Sequence, residues 1–75
     1  MDHRTSVIIA DNSEDFCSYL TAALEKTEAF QVVGTANEGE QAVLLVSQRR
    51  PDILVLDLML AKTDGIPVLK ALNTL

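Results

Sequence analysis

The sequence predicts an α/β protein on a doubly wound parallel sheet, with elements in the order β-α-β-α-β-α. Three observations lead there. Val7-Ile8-Ile9-Ala10 and Ile53-Leu54-Val55-Leu56 are unbroken apolar runs, the habit of strands buried on both faces of a parallel sheet. Between them, apolar residues recur at helical spacing. Each run also ends on a polar group, Asp11-Asn12 after the first and Asp57 after the second. That position is the C-terminal mouth of a strand, where open α/β sheets bind their ligands.

The first strand is Ser6 to Ala10. Asp11-Asn12-Ser13 is a loop of capping residues, with Ser13 as N-cap and Glu14 and Asp15 in the acidic first turn that a helix N-terminus favours. Phe16, Leu20, Ala23 and Leu24 fall at i, i+4, i+7 and i+8, one face of a helix ending near Lys26 or Thr27. Phe30 to Thr35 reads as a short strand around Val32-Val33, weakened at its end by Gly34. A second helix runs from about Glu38 to Gln48, turning Ala42, Val43, Leu45 and Val46 inward. Arg49-Arg50 suit its C-terminus, and Pro51 prevents its continuation. Ile53 to Leu56 is the third strand. After the loop Met59 to Gly65, a third helix has Pro67 near its first position and Ile66, Leu69 and Leu72 toward a core.

The third strand is apolar on both faces and reads as central, yet no further strand follows it. The expectation is a piece of a longer domain whose sheet continues beyond it; the alternative is a sheet completed by another chain.

With 75 residues the chain holds at most one small domain. It is 48% hydrophobic without low-complexity tracts, which excludes disorder. A net charge of −5 argues against a nucleic-acid or anionic-membrane surface in this segment, and it suits a divalent cation or a basic partner. No stretch has the apolar length of a membrane span, and Met1-Asp2-His3-Arg4-Thr5 lacks the apolar region of a signal peptide. Cys17 is the sole cysteine, so the expected compartment is the reducing cytoplasm. Beside Phe16 and Leu20 it reads as a small core residue rather than a reactive thiol.

Taken together, Ile8-Ile9-Ala10-Asp11-Asn12, Ala36-Asn37-Glu38-Gly39 and Pro51-Asp52-Ile53-Leu54-Val55-Leu56-Asp57 resemble the receiver domain of bacterial two-component response regulators. The likeness extends through Leu58-Met59-Leu60-Ala61-Lys62-Thr63-Asp64-Gly65 and covers the first three-fifths or so of a receiver. Within that family, Ala10-Asp11-Asn12-Ser13-Glu14-Asp15-Phe16-Cys17 and Ile53-Leu54-Val55-Leu56-Asp57 look most like the receiver of the master transcription factor of sporulation. The resemblance implies a flavodoxin-like fold with strand order 2-1-3.

By that resemblance Asp57 is the phosphoacceptor, and Asp11, Asn12, Asp57 and the backbone carbonyl of Met59 hold Mg²⁺, or Mn²⁺ or Ca²⁺ in its place. The chemistry suits the spacing. Adjacent parallel strands lie about 4.8 Å apart, so groups at neighbouring strand ends can share one cation with bonds of about 2.1 Å. Two carboxylates about 5 Å apart repel by about 3 kcal/mol at an effective dielectric near 20, which a dication relieves. The implied function is a phosphorelay switch. A histidine kinase or histidine phosphotransferase phosphorylates Asp57, and an output domain, expected to control transcription, responds. The receiver promotes its own phosphorylation and is not a metabolic enzyme. Its contact with DNA would run through that output domain, and the resemblance leaves room for a homodimer.

Three departures stand out. Asn12 replaces the second acid of the pair, which lowers the expected Mg²⁺ affinity. Ala61 stands where the family usually has proline. The family's hydroxyl residue and lysine on later strands fall beyond Leu75, and Lys62 has no sequence reason to substitute. The competing reading is a degenerate pseudo-receiver, a dimerisation module without phosphoryl transfer. An aspartate-nucleophile phosphatase is weaker, because Met59 stands where that chemistry needs a second acid. Asp64-Gly65 reads as a turn, and His3 as a solvated terminal residue.

Overall fold

Thr5–Ala10 forms β1, the middle strand of a three-stranded sheet in a computed structural model that describes residues 4–57 and Leu60. The elements that follow are α1 (Glu14–Glu25), β2 (Phe30–Ala36), α2 (Gly39–Arg49) and β3 (Ile53–Leu56). The strand order is β2-β1-β3, and both pairings are parallel. This is the expected 2-1-3 order. The third helix, with Ile66, Pro67, Leu69 and Leu72, lies outside the described residues.

β1 is central because its last four residues are apolar: Val7, Ile8, Ile9 and Ala10 are all buried. Side chains alternate across a strand, so these residues feed both faces of the sheet. On one face Val7 and Ile9 pack with Cys17, Leu20 and Leu24 of α1, together with Phe30, Val32 and Val55. On the other, Ala10 and Ala36 pack with Ala42 and Leu45 of α2, with Leu60, and with Leu54 and Leu56. One helix therefore covers each face.

Ser13 caps α1 as its sequence indicates, with its Oγ accepting from the Phe16 N–H at 3.2 Å and Glu14 and Asp15 in the first turn. The buried stripe differs by one residue from the expected one. Phe16 is 41% exposed, and Cys17 takes the inward place. Cys17, Leu20 and Leu24 follow at i, i+3 and i+7, so the smaller residue meets the sheet and the aromatic ring lies outside it.

α2 starts at Gly39 with Glu38 as its N-cap, although the Glu38 side chain makes no capping bond. Gln41 reaches back instead, its Oε1 accepting from the Asn37 N–H at 3.2 Å. Gly39 and Ala42 are its buried positions. The helix closes on Arg50 in the left-handed region (φ 43°), whose N–H donates to the Val46 carbonyl at 2.9 Å. Arg49 does something else. Its guanidinium donates to the carbonyl of Val33 on β2.

β3 is less covered than its composition suggests. Ile53 is 42% exposed, and Leu54, Val55 and Leu56 are half-buried. Among the described residues it has β1 on one side as its only strand neighbour.

Candidate functional site

The C-terminal ends of β1 and β3 are level with one another. Val7, Ile8, Ile9 and Ala10 pair with Ile53, Leu54, Val55 and Leu56 without interruption. One step further, the Asp57 N–H donates to the Ala10 carbonyl at 2.9 Å. Asp11 in turn donates its N–H to the Ala36 carbonyl at 2.9 Å, which continues the ladder toward β2. Asp11 and Asp57 thus leave neighbouring strands side by side, both half-buried.

That register is pinned at the other end of the same strands. Asp52 Oδ2 accepts from the Ser6 N–H at 2.8 Å and from Ser6 Oγ at 3.1 Å. The Asp52 N–H is within 3.0 Å of the Ser6 carbonyl and 2.9 Å of Ser6 Oγ. A slip of one residue would turn every β3 side chain to the wrong face and break this clasp. Sequence reasoning did not single out Ser6 or Asp52. The available signal was a turn-forming Pro51-Asp52 directly before an apolar strand.

The Asp11 carboxylate is oriented by the start of α1. Its Oδ1 accepts from the Ser13 N–H at 2.8 Å, an Asx turn that leads into the Ser13 cap. Asp11 therefore does serve the helix start, and its backbone carbonyl is also approached by Cys17 Sγ at 3.6 Å. Asn12 stands exposed between them. Cys17 is buried, as expected of a core residue, and burial pushes its thiol above the ordinary value. The charge of Asp11 adds to that rise, the hydrogen bond to the Asp11 backbone opposes it, and Glu14 adds a smaller push.

Side-chain donors at this edge are oxygens: Asp11, Asn12 and Asp57. Among the described residues no group of three or more His, Cys, Asp or Glu side chains is assembled for a metal. An all-oxygen set fits a hard cation such as Mg²⁺ and disfavours zinc. Met59, Ala61, Lys62, Asp64 and Gly65 lie outside the described residues, as does His3. Among the described residues no helix is long and apolar enough to cross a membrane.

Comparison with known proteins agrees with this geometry at the level of the family. The chain is 34% identical over 65 residues to the protein-glutamate methylesterase/protein-glutamine glutaminase 2 of Nitratidesulfovibrio vulgaris strain Hildenborough. The match covers 87% of this chain but 18% of that protein, so the chain spans under a fifth of the length of this curated relative. This relative is a methylesterase, so it gives no support to the likeness to a sporulation regulator. No solved structure matches. The family description "Response regulator receiver domain" matches residues 7–75, nearly the whole sequence, and with the parallel 2-1-3 sheet it means that this chain belongs to the response regulator receiver family.

Proposed function

We propose that this receiver accepts a phosphoryl group from a phosphohistidine partner onto the carboxylate of Asp57. The observation that carries the reading is the strand register, which sets Asp57 beside Asp11 at the ligand-binding edge of the sheet. Asp57 attacks phosphorus in line. The O–P bond forms as the N–P bond to imidazole breaks, and the bond pair leaves with the ring nitrogen, which takes up a proton. The product is an acyl phosphate on Asp57.

Asp11, Asn12, Asp57 and the Met59 carbonyl are the groups we assign to a divalent cation, Mg²⁺ foremost. When bound, such an ion offsets the repulsion between the carboxylates and the incoming phosphoryl oxygens. Asp11, held by the Ser13 N–H, supplies a preset negative oxygen to that cation. Asn12 adds a neutral donor.

The phosphodonor we assign is a histidine kinase or histidine phosphotransferase in the cytoplasm. The output we assign first is transcription, on the likeness of Ala10–Cys17 and Ile53–Asp57 to the sporulation regulator. The methylesterase relative supports a second reading, an enzymatic output on another part of the protein. Asn12 favours a third, a pseudo-receiver that dimerises without turning over phosphate. Incubating the intact protein with phosphoramidate, with Mg²⁺ or with chelator, separates a switch from a pseudo-receiver. The switch predicts metal-dependent formation of an acyl phosphate. A folded protein that never forms the adduct contradicts it.

A further inference from the structure

Cys17 is the buried residue of α1, and it touches each part of the chain that carries Asp11. It packs with Val7 and Ile9 of β1, the strand that ends just before Asp11. Its N–H donates to the Ser13 carbonyl at 3.1 Å, within the first turn of the helix. Its Sγ reaches back six residues to donate to the Asp11 carbonyl at 3.6 Å.

Asp11 is therefore held from three directions. Its N–H is bonded to the Ala36 carbonyl on β2, and its Oδ1 to the Ser13 N–H. The thiol takes its carbonyl. That carbonyl belongs to the planar peptide joining Asp11 to Asn12, so tying it sets the ψ angle of Asp11 and the course of the chain through Asn12 to Ser13. Packing alone asks for a small apolar side chain at position 17, which alanine would supply. The thiol adds a donor. Burial pushes it above its ordinary value, so it keeps its proton at neutral pH and the donor persists.

We infer that Cys17 is a positioning residue for the cation site: its thiol ties the Asp11 peptide and so holds Asp11 and Asn12 in the arrangement from which they reach one ion. This deepens the reading of Asp11 and Asn12 as cation ligands and rests on it. A thiol is a weak donor, so its effect is on the local geometry of the loop more than on the fold.

Calorimetric titration of Mg²⁺ into the intact protein, beside amide hydrogen exchange without metal, tests it on Cys17→Ala and Cys17→Ser. Cys17→Ala should bind Mg²⁺ about threefold more weakly. Its Asp11 and Ser13 amides should exchange faster relative to those of Val7, Ile8 and Ile9. Cys17→Ser restores a donor and should recover part of both losses. A role in packing alone would shift the urea midpoint and leave the affinity of the folded protein unchanged. Parent-like affinity and exchange in folded Cys17→Ala overturn the inference, and so does a Cys17→Ser that behaves as Cys17→Ala does. A parent that binds no Mg²⁺ overturns the cation reading instead, and exchange at Asp11 and Ser13 then decides whether Cys17 holds the loop. If Cys17→Ala does not fold, Cys17→Val, apolar and without a donor, is read in its place.

Discussion

Asp57 and Asp11 each stand one residue beyond a paired position, Leu56 and Ala10, and the Asp57 N–H is bonded to the Ala10 carbonyl at 2.9 Å. The two residues are therefore brought to neighbouring strand ends by backbone pairing, before any cation or partner takes part. Their juxtaposition depends on the β1–β3 register, and through it on the buried run of β1 and the Ser6–Asp52 clasp.

Loss of that clasp should weaken the site's frame without touching its chemistry. Asp52→Ala removes the acceptor for both the Ser6 N–H and Ser6 Oγ. The hydrogen bonds are exposed, so a loss of about 1 kcal/mol is expected, read from the urea midpoint at unchanged m-value. An unchanged midpoint would show that β1 and β3 are held by their apolar contacts alone.

The Ser13 cap offers a second check. Ser13→Ala removes the hydroxyl that accepts from Phe16 but keeps the backbone N–H that holds Asp11. It should cost about 1 kcal/mol of stability. Cation affinity should change little, because the Asp11 carboxylate keeps its partner. A large loss of affinity with intact fold would move the orienting role to the hydroxyl.

Much of this frame was legible in the sequence, because apolar runs and capping residues act locally. β1 and β3 followed from their unbroken hydrophobicity, and Ser13 from its place before an acidic first turn. What escaped depends on tertiary contact. The exposure of Phe16 beside the buried Cys17 is a rotation of one helical position, visible only once α1 lies on Val7 and Ile9. The bulge at Val33 and the path of Arg49 across Gly34 have no local signature. Arg49 and Arg50 suited a helix end by charge, yet Arg50 caps with its backbone and Arg49 serves the neighbouring strand. Motif and spacing pointed to Asp11, Asn12 and Asp57, while the Ser13 N–H that holds Asp11 and the Ser6–Asp52 clasp that sets the strand register emerge only in the fold.

Cys17 makes stability depend on pH in a stated direction. Its thiol is raised above 9.0 by burial first and by Asp11 next, so the folded state holds the proton more tightly than the unfolded chain does. The contribution is whole below 9.0 and is lost as pH rises through the raised folded value. Urea midpoints measured on both sides of 9.0 should fall at the alkaline side, and Cys17→Ala should remove that component of the fall. Equal slopes in parent and variant would show that the thiol does not contribute.

Asn12→Asp adds a charged donor to the proposed cation set. Mg²⁺ should bind about tenfold more tightly, a change of about 1.4 kcal/mol. Without metal the variant should be less stable, since a further carboxylate joins Asp11 and Asp57. A metal titration giving equal or weaker affinity would remove position 12 from the ligand set.

The most direct test of the phosphoacceptor assignment is peptide mapping of the intact protein after phosphorylation, set beside Asp57→Asn and Asp57→Ala. Phosphate should map to Asp57 in the parent and be absent from both variants, whose folded circular dichroism spectra should match the parent's. Full labelling of folded Asp57→Ala, with the phosphate on another residue, would contradict the account.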